Sequence, residues 1–260
     1  NWILTRNGWN TLQGLKAFLK NKHNILDAGC GNGRVMALLV KYAPINTKIT
    51  GIDLTSIDVA KENLKGIPNA FFFKKNLMGK NIGLGKFDFI YCQEVLHHTN
   101  NPFQSFTNLV KYNLSENGTI AIYVYKKKSP IREFTDDFIR DKISNLSYDE
   151  AIIHCNEITE FSKEFSKIKE EFYCPGIKVL DIPAGNYTPQ RFLYHFFMKC
   201  FWDNNLSFGG NSVINYDWYH PQNCTRHTLN EIKDWFKRNK LKITHAYEDF
   251  YGITMHGVKG

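Results

Sequence analysis

Residues 25–34 read ILDAGCGNGR. An apolar run stops at Asp27, glycines stand at positions 29, 31 and 33, and an apolar-periodic stretch follows at once. Few local structures accept that pattern. The apolar run predicts a buried strand, the glycines a sharp turn of bare backbone, and the periodic stretch a helix. The first turn of such a helix leaves its amides unpaired and carries a partial positive charge, so it suits an anionic or polar ligand. The spacing is G-x-G-x-G. It is neither the G-x-G-x-x-G of dinucleotide binders nor a phosphate loop, which ends in Gly-Lys-Ser/Thr.

The chain around this motif alternates strand and helix signals. NILDA (24–28), KITGID (48–53), NAFFFKK (69–75), FDFIYCQ (87–93) and TIAIYVY (119–125) predict strands. GRVMALLVKYA (33–43) predicts a helix stopped by Pro44. TSIDVAKENLK predicts one started by a Thr55–Asp58 capping box, and FQSFTNLVKYNL (103–114) fills the next slot. Such alternation implies an α/β fold with a parallel sheet covered on both faces. After Tyr125 the reading turns helical. Tyr148, Ile152, Cys155, Ile158, Phe161, Phe165, Ile168 and Phe172 predict one amphipathic helix broken by Pro175-Gly176. RFLYHFFMKCFW (191–202) predicts a short apolar helix, and DNNLSFGGNS a polar loop. A helix over 228–240 and two strands over 241–259 then close the chain. The organisation is one α/β domain, 1–125 with 218–260, and a mainly helical lobe inserted at 126–217.

Asp53 ends the second strand, 20 residues beyond Gly33. A carboxylate there can accept both hydroxyls of a ribose and repels a 2′-phosphate. With DAGCGNGR, then GIDL, then FDFIYCQEVLHHTNNP, the chain resembles a class I S-adenosylmethionine-dependent methyltransferase. The resemblance covers residues 23 to about 125 and, more loosely, the closing strand pair. It implies a Rossmann-like seven-stranded sheet with its last strand antiparallel, and S-adenosyl-L-methionine as cofactor with S-adenosyl-L-homocysteine as product. It implies that Asp27 and Gly29 face the methionine end, and that Cys30, Gly31 and Gly33 form the loop that wraps the cofactor. By the same resemblance Asp53 holds the ribose, Leu54 faces adenine, Asn76 and Leu77 flank it, and Gln93 lies near the donor methyl.

A sulfonium-bound methyl is already electrophilic, so catalysis is chiefly in-line positioning with water excluded. A base is needed only where the acceptor must lose a proton. Glu94, His97 and His98 follow the fourth strand, and His97 or His98 is the expected base, or else supports the loop. A second cluster, NYDWYHPQNCTRHT (215–228), offers Tyr219 and His220 either as acceptor-facing groups or as a buried latch for the lobe. Trp2 and Trp9 read as core aromatics or as a lid. The lobe's aromatics, from Phe192 to Trp202, read as its own core, as an apolar acceptor pocket or as an interfacial membrane contact.

The six cysteines show no metal-ligand spacing, so no metal is expected and a reduced, cytoplasmic setting is. No apolar run approaches the roughly 20 residues of a membrane span, and no basic-then-apolar signal peptide opens the chain. The net charge of +8 raises the question of nucleic acid. Its placement argues otherwise. Residues 1–125 hold 14 basic and 7 acidic side chains, whereas 126–217 hold 12 and 14. The place where enzymes of exocyclic nucleobase amines carry Asp/Asn-Pro-Pro-aromatic reads CQEVLHH. A small-molecule acceptor is expected, such as a natural product, a quinone-like ring or a cell-surface sugar. The rivals are an RNA methyltransferase and a non-catalytic module that only binds the cofactor. Neither eroded glycines nor a missing Asp53, the marks of such a module, is present.

Overall fold

The computed structural model describes residues 2–260. Two compact units emerge, Asn1–Lys126 with Thr225–Gly260, and Lys127–Cys224. The chain re-enters the first unit at Thr225, later than the expected 218. The reason is local. The helix Phe208–Tyr219 runs through that position, and its Trp218 and Tyr219 are buried in the second unit's own hydrogen-bond network.

The first unit opens with two helices, α1 (Trp2–Arg6) and α2 (Leu12–Leu19). It continues with β1 (Asn24–Ala28), α3 (Arg34–Tyr42), β2 (Lys48–Asp53), α4 (Ile57–Asn63), β3 (Ala70–Lys74) and β4 (Phe87–Gln93). A single tight turn, Leu96–His98, leads to α5 (Pro102–Asn108), which loosens into a wide turn over Leu109–Asn113 before β5 (Leu114–Tyr125). The seven strands of the unit form one sheet in the order β3-β2-β1-β4-β5-β9-β8, with β8 (Leu241–Glu248) and β9 (Gly252–Lys259) as the closing hairpin. The first five strands are parallel. β9 is antiparallel to both β5 and β8. The Rossmann-like sheet with a reversed last strand is therefore present. Its two faces bury separate apolar clusters, one with Leu26, Ile90, Ile122 and Trp235, the other with Ile25, Phe89, Tyr91 and Trp9.

Two helix starts deserve comparison. The expected capping box at Thr55 and Asp58 does not form. The Asp53 carboxylate, outside the helix, accepts the Thr55 and Ser56 amides instead. At the last helix, Leu229–Arg238, Thr228 caps the Glu231 amide as its sequence suggests, but the Glu231 carboxylate turns away to His227.

The second unit contains α6 (Pro130–Ile143), α7 (Tyr148–Ser166), the two-stranded β6 (Phe172–Cys174) and β7 (Gly185–Tyr187), α8 (Pro189–Phe196) and α9 (Phe208–Tyr219). Back in the first unit, the Leu229–Arg238 helix already described is α10, and it leads into β8. Three expectations change here. α7 stops at Ser166, and Phe172 joins a strand. Its buried line is Ala151, Cys155, Thr159 and Ser162, offset from the predicted stripe, while Tyr148 and Phe161 are exposed. Small polar residues fill it because they have partners. Thr159 Oγ1 receives Asn215 Nδ2 at 2.9 Å and Ser162 Oγ donates to the Cys200 carbonyl at 2.6 Å. Finally, α8 ends at Phe196, short of the predicted 202, and half of the supposed polar loop is the first turn of α9, capped by Ser207.

Candidate active site

β1, β2 and β4 end side by side, and the loops that follow them build the site. Gly29 and Gly33 have φ of 86° and Gly31 of 53°, left-handed values that favour glycine. A Cβ at Gly29 would lie 2.2 Å from Val95 Cγ2, so that position admits no side chain. A Cβ at Gly31 would meet nothing within 4 Å. The same three-glycine turn is thus closed on one side and open on the other. β2 approaches just as closely, since a Cβ at Gly51 would press on Met36 Sδ at 2.7 Å and Cys30 Sγ at 3.0 Å. Burial, with Asp27 and Asp53 nearby, pushes the Cys30 thiol up to about 12, so it stays protonated.

Asp53 Oδ2 accepts the Gly31 amide at 3.0 Å, and Oδ1 accepts Thr55 and Ser56 amides at 2.9 and 2.8 Å. Partial burial pushes its carboxyl up. The amides of Ser56, Thr55 and Gly31 and the Thr55 hydroxyl outweigh that, so the carboxyl sits below its ordinary value and is ionised at neutral pH. Asp27 is the opposite case. It is fully buried at the end of β1, and burial, then the Asp53 charge, raise it to about 7 against the pull of the Met36 amide. Its Oδ2 has no hydrogen-bond partner among the described residues, and neither does Nε2 of buried Gln93 at the end of β4. A buried polar atom without a partner costs roughly 1–3 kcal/mol, which a ligand can recover.

Leu54 is 47% exposed and available to a flat ring, whereas Leu77 is 8% exposed and packs into the core cluster of β1 and β4. Asn76 is exposed, and its Oδ1 accepts the Met78 amide at 2.9 Å, fixing the turn that ends β3. Trp9 is buried against Phe18, Tyr91 and His256, so it is a core aromatic and not a lid.

Residues 25–118 match the family model described as a methyltransferase domain. The chain carries a methyltransferase domain on this seven-stranded sheet. The chain is 25% identical over 180 residues to the ubiquinone biosynthesis O-methyltransferase of Coxiella burnetii, covering 66% of this chain and 70% of that protein. Among solved structures, it overlays an S-adenosylmethionine-dependent methyltransferase of Mesorhizobium loti with a TM-score of 0.56 at 12% identity, covering 97% and 98% of the two chains. It also overlays an O-methyltransferase family protein of Burkholderia thailandensis with a TM-score of 0.53 at 12% identity, covering 99% of this chain and 56% of that one. At such identities the overlays speak for the fold.

Within the first unit the Leu96–His98 turn is tied down by the first residue of its second segment. Thr225 donates its amide at 2.9 Å and its hydroxyl at 3.2 Å to the His97 carbonyl. The His97 ring is fully buried and stacks on Tyr125, centroids 3.7 Å apart, with His98 at 4.3 Å. Both its ring nitrogens lack a partner among the described residues. Burial, then His98 and His227, hold its pKa well below the ordinary value, so it is neutral at pH 7. His227 completes the cluster between Thr225 Oγ1 at 3.0 Å and Glu231 Oε1 at 2.8 Å. Thr225 lies inside the marked cluster 215–228 and Tyr125 ends a predicted strand, but the sequence singles out neither as a site residue. What the pattern could not show is that the Thr225 hydroxyl and amide reach back to the His97 carbonyl, 128 positions away.

Tyr219 and His220 belong to the second unit. Tyr219 is buried, its hydroxyl 2.8 Å from both Asp136 Oδ1 and the Lys199 carbonyl oxygen. Burial, then the Asp136 charge, raise it well above its usual value. His220 stacks on Tyr216 at 4.5 Å, with Nε2 3.1 Å from the Leu146 carbonyl oxygen. Within that unit both side chains are engaged in packing. No group of His, Cys, Asp and Glu fit to hold a metal occurs among the described residues. No described helix is long and apolar enough to cross a membrane.

Proposed function

We propose that this methyltransferase moves a methyl group from S-adenosyl-L-methionine to a small molecule, by in-line attack of an acceptor hydroxyl on a ring or sugar. The observation that carries the cofactor half is the pair of unpartnered buried atoms, Asp27 Oδ2 and Gln93 Nε2, at the ends of adjacent strands beside the open turn at Gly31. An acceptor and a donor so placed suit the ammonium and carboxylate of an amino-acid group. Ionised Asp53 at the next strand end suits a ribose. Cys30, Gly29 and Gly33 shape the turn, Leu54 offers an apolar face for adenine, and Asn76 and Leu77 border it. When bound, the cofactor supplies an electrophilic methyl on a sulfonium.

The acceptor half draws support from the name of the Coxiella relative, an O-methyltransferase. The absence of Asp/Asn-Pro-Pro-aromatic after Gln93 supports it against a nucleobase. His98, or neutral His97, takes the acceptor's proton in this reading. All six cysteines are free thiols, which supports a cytoplasmic setting. The test is calorimetry followed by a substrate panel with radiolabelled methyl donor. S-adenosyl-L-homocysteine should bind at micromolar strength with NAD silent, and label should enter hydroxylated small molecules. Label entering RNA alone would overturn the acceptor assignment.

A further inference from the structure

A line of buried side chains runs from the N-terminal segment to the end of β4. Asn7 Nδ2 donates to the Ile3 carbonyl at 2.8 Å, and a carbonyl can only accept. That contact fixes which way the Asn7 amide points. Its Oδ1 therefore faces His256 Nε2, 2.8 Å away, and that nitrogen must carry the hydrogen. Burial, with His245 nearby, pushes His256 down to about 3, so it is a neutral donor. The second hydrogen of Asn7 Nδ2 reaches Tyr91 Oη at 3.1 Å. Tyr91, having accepted, has one hydrogen to give, and Gln93 Oε1 lies 2.7 Å away. The Gln93 carboxamide is thereby oriented with its oxygen spent inside the protein. Its Nε2, a donor, is left without a partner, beside the unpartnered Asp27 Oδ2 strand end. One backbone carbonyl thus sets the polarity of four side chains.

We propose that Asn7 and Tyr91 are positioning residues that lock the Gln93 carboxamide with Nε2 as a donor to the amino-acid end of the S-adenosyl ligand. The inference rests on the cofactor reading above and adds to it how the donor is oriented. Without Tyr91's hydroxyl the carboxamide loses the contact that distinguishes its two ends. A flipped amide would turn an oxygen toward the ligand carboxylate.

The test uses the full chain and two ligands in calorimetry. S-adenosyl-L-homocysteine carries the amino-acid group. 5′-Deoxy-5′-methylthioadenosine keeps the nucleoside thioether and lacks it. Tyr91→Phe should weaken S-adenosyl-L-homocysteine about tenfold while methylthioadenosine stays within twofold, a size in keeping with one lost hydrogen bond to a charged group. Asn7→Leu should shift the ratio in the same direction. A parallel loss for both ligands, or none, overturns the positioning role. Should Tyr91→Phe fail to fold, Gln93→Glu takes its place. It keeps the shape but puts an acceptor where a donor is required, so it must lose S-adenosyl-L-homocysteine selectively, and an unchanged ratio again overturns the proposal. If the wild type binds methylthioadenosine but S-adenosyl-L-homocysteine no better, the proposal fails while the nucleoside site stands. If it binds neither, the cofactor reading itself fails and takes the proposal with it.

Discussion

Asp53 Oδ2 accepts the Gly31 amide at 3.0 Å across 22 positions of chain, and the same carboxylate starts α4 through the Ser56 amide at 2.8 Å. One side chain therefore ties the glycine turn to the next helix. Asp53→Ala removes the acceptor for three amides as well as the ribose contact. It should lower S-adenosyl-L-homocysteine affinity at least tenfold in calorimetry and cost stability by about 1–2 kcal/mol in thermal unfolding, the usual size for a lost cap. Asp53→Asn, which keeps an acceptor oxygen, should fall between. Unchanged affinity in the alanine variant would remove the ribose role.

Gly29 and Gly31 share a backbone conformation but not surroundings, and alanine separates the two effects. At Gly29 the new methyl would overlap Val95. Strain and overpacking together should cost more than about 2 kcal/mol. At Gly31 the methyl enters open space. Gly31→Ala should cost only about 1 kcal/mol from its positive φ, yet weaken the cofactor by filling its cradle. Urea unfolding and calorimetry on both variants give the comparison. A Gly31→Ala protein that binds as well as wild type would place the ligand elsewhere.

How much of this was legible beforehand differs between the units for a physical reason. The sheet strands are continuous apolar runs, because both faces of a parallel sheet are buried, and β1, β2 and β4 match their predicted bounds. The site glycines and Asp53 declare themselves by spacing. The lobe does not follow the apolar pattern. Its α7 buries Thr159 and Ser162 and exposes Phe161, because hydrogen bonds from Ser212, Asn215 and Gln190 make small polar residues good interior partners. Periodicity of hydrophobic residues cannot detect a polar core. The start of α9 was hidden by Gly209 and Gly210, poor helix formers that sit at its first turn. The relay through Asn7 and His256 joins residues 249 positions apart, and nothing local in the sequence marks it.

Asp27 makes the ligand-free protein sensitive to pH in a definite direction. Its carboxyl is raised from 3.8 to about 7. Between those values the native state holds a proton that the unfolded chain has released, so this residue's contribution to stability falls as pH rises through the window. The full effect approaches roughly 4 kcal/mol for a shift of this size. Asp27→Asn should remove it. The wild-type minus variant difference in urea stability, measured at pH 5 and pH 8, isolates Asp27 from the buried histidines, whose depressed values act in the opposite sense at low pH. An ammonium ligand favours the ionised form, so S-adenosyl-L-homocysteine should bind Asp27 wild type better at pH 8 than at pH 6. A flat difference curve would mean that Asp27 is ionised throughout.

His97 and His98 adjoin but differ in what they can lose. His97 is wholly buried, and cutting its ring to a methyl leaves a cavity against Tyr125. His97→Ala should cost roughly 2–4 kcal/mol. His98 is half-buried and packs on His97 and Tyr125, so His98→Ala should cost less than His97→Ala. If His98 is the base, kcat falls by about 10²–10⁴ with S-adenosyl-L-homocysteine affinity intact. Turnover unaffected by His98→Ala, once an acceptor is in hand, would remove it as the base.

The lobe's weak point is a single carboxylate. Asp136 is buried and receives Arg132 Nε at 3.1 Å, Trp218 Nε1 at 2.9 Å, the Tyr219 hydroxyl at 2.8 Å and the Lys199 amide at 2.7 Å. Arg132 is itself buried, and its Nη1 donates to the Tyr194 carbonyl at 2.6 Å. Asp136→Ala withdraws the buried carboxylate that pairs with Arg132, and removing one partner of a buried pair costs about 3–5 kcal/mol. Asp136→Asn keeps an acceptor but not the charge and should cost less. Tyr219→Phe, which withdraws only one of the four donors, should cost about 1 kcal/mol. Thermal unfolding of the three variants should therefore rank Ala, Asn and Phe in order of decreasing damage. If Tyr219→Phe instead leaves stability untouched, its hydroxyl adds nothing to the lobe's core.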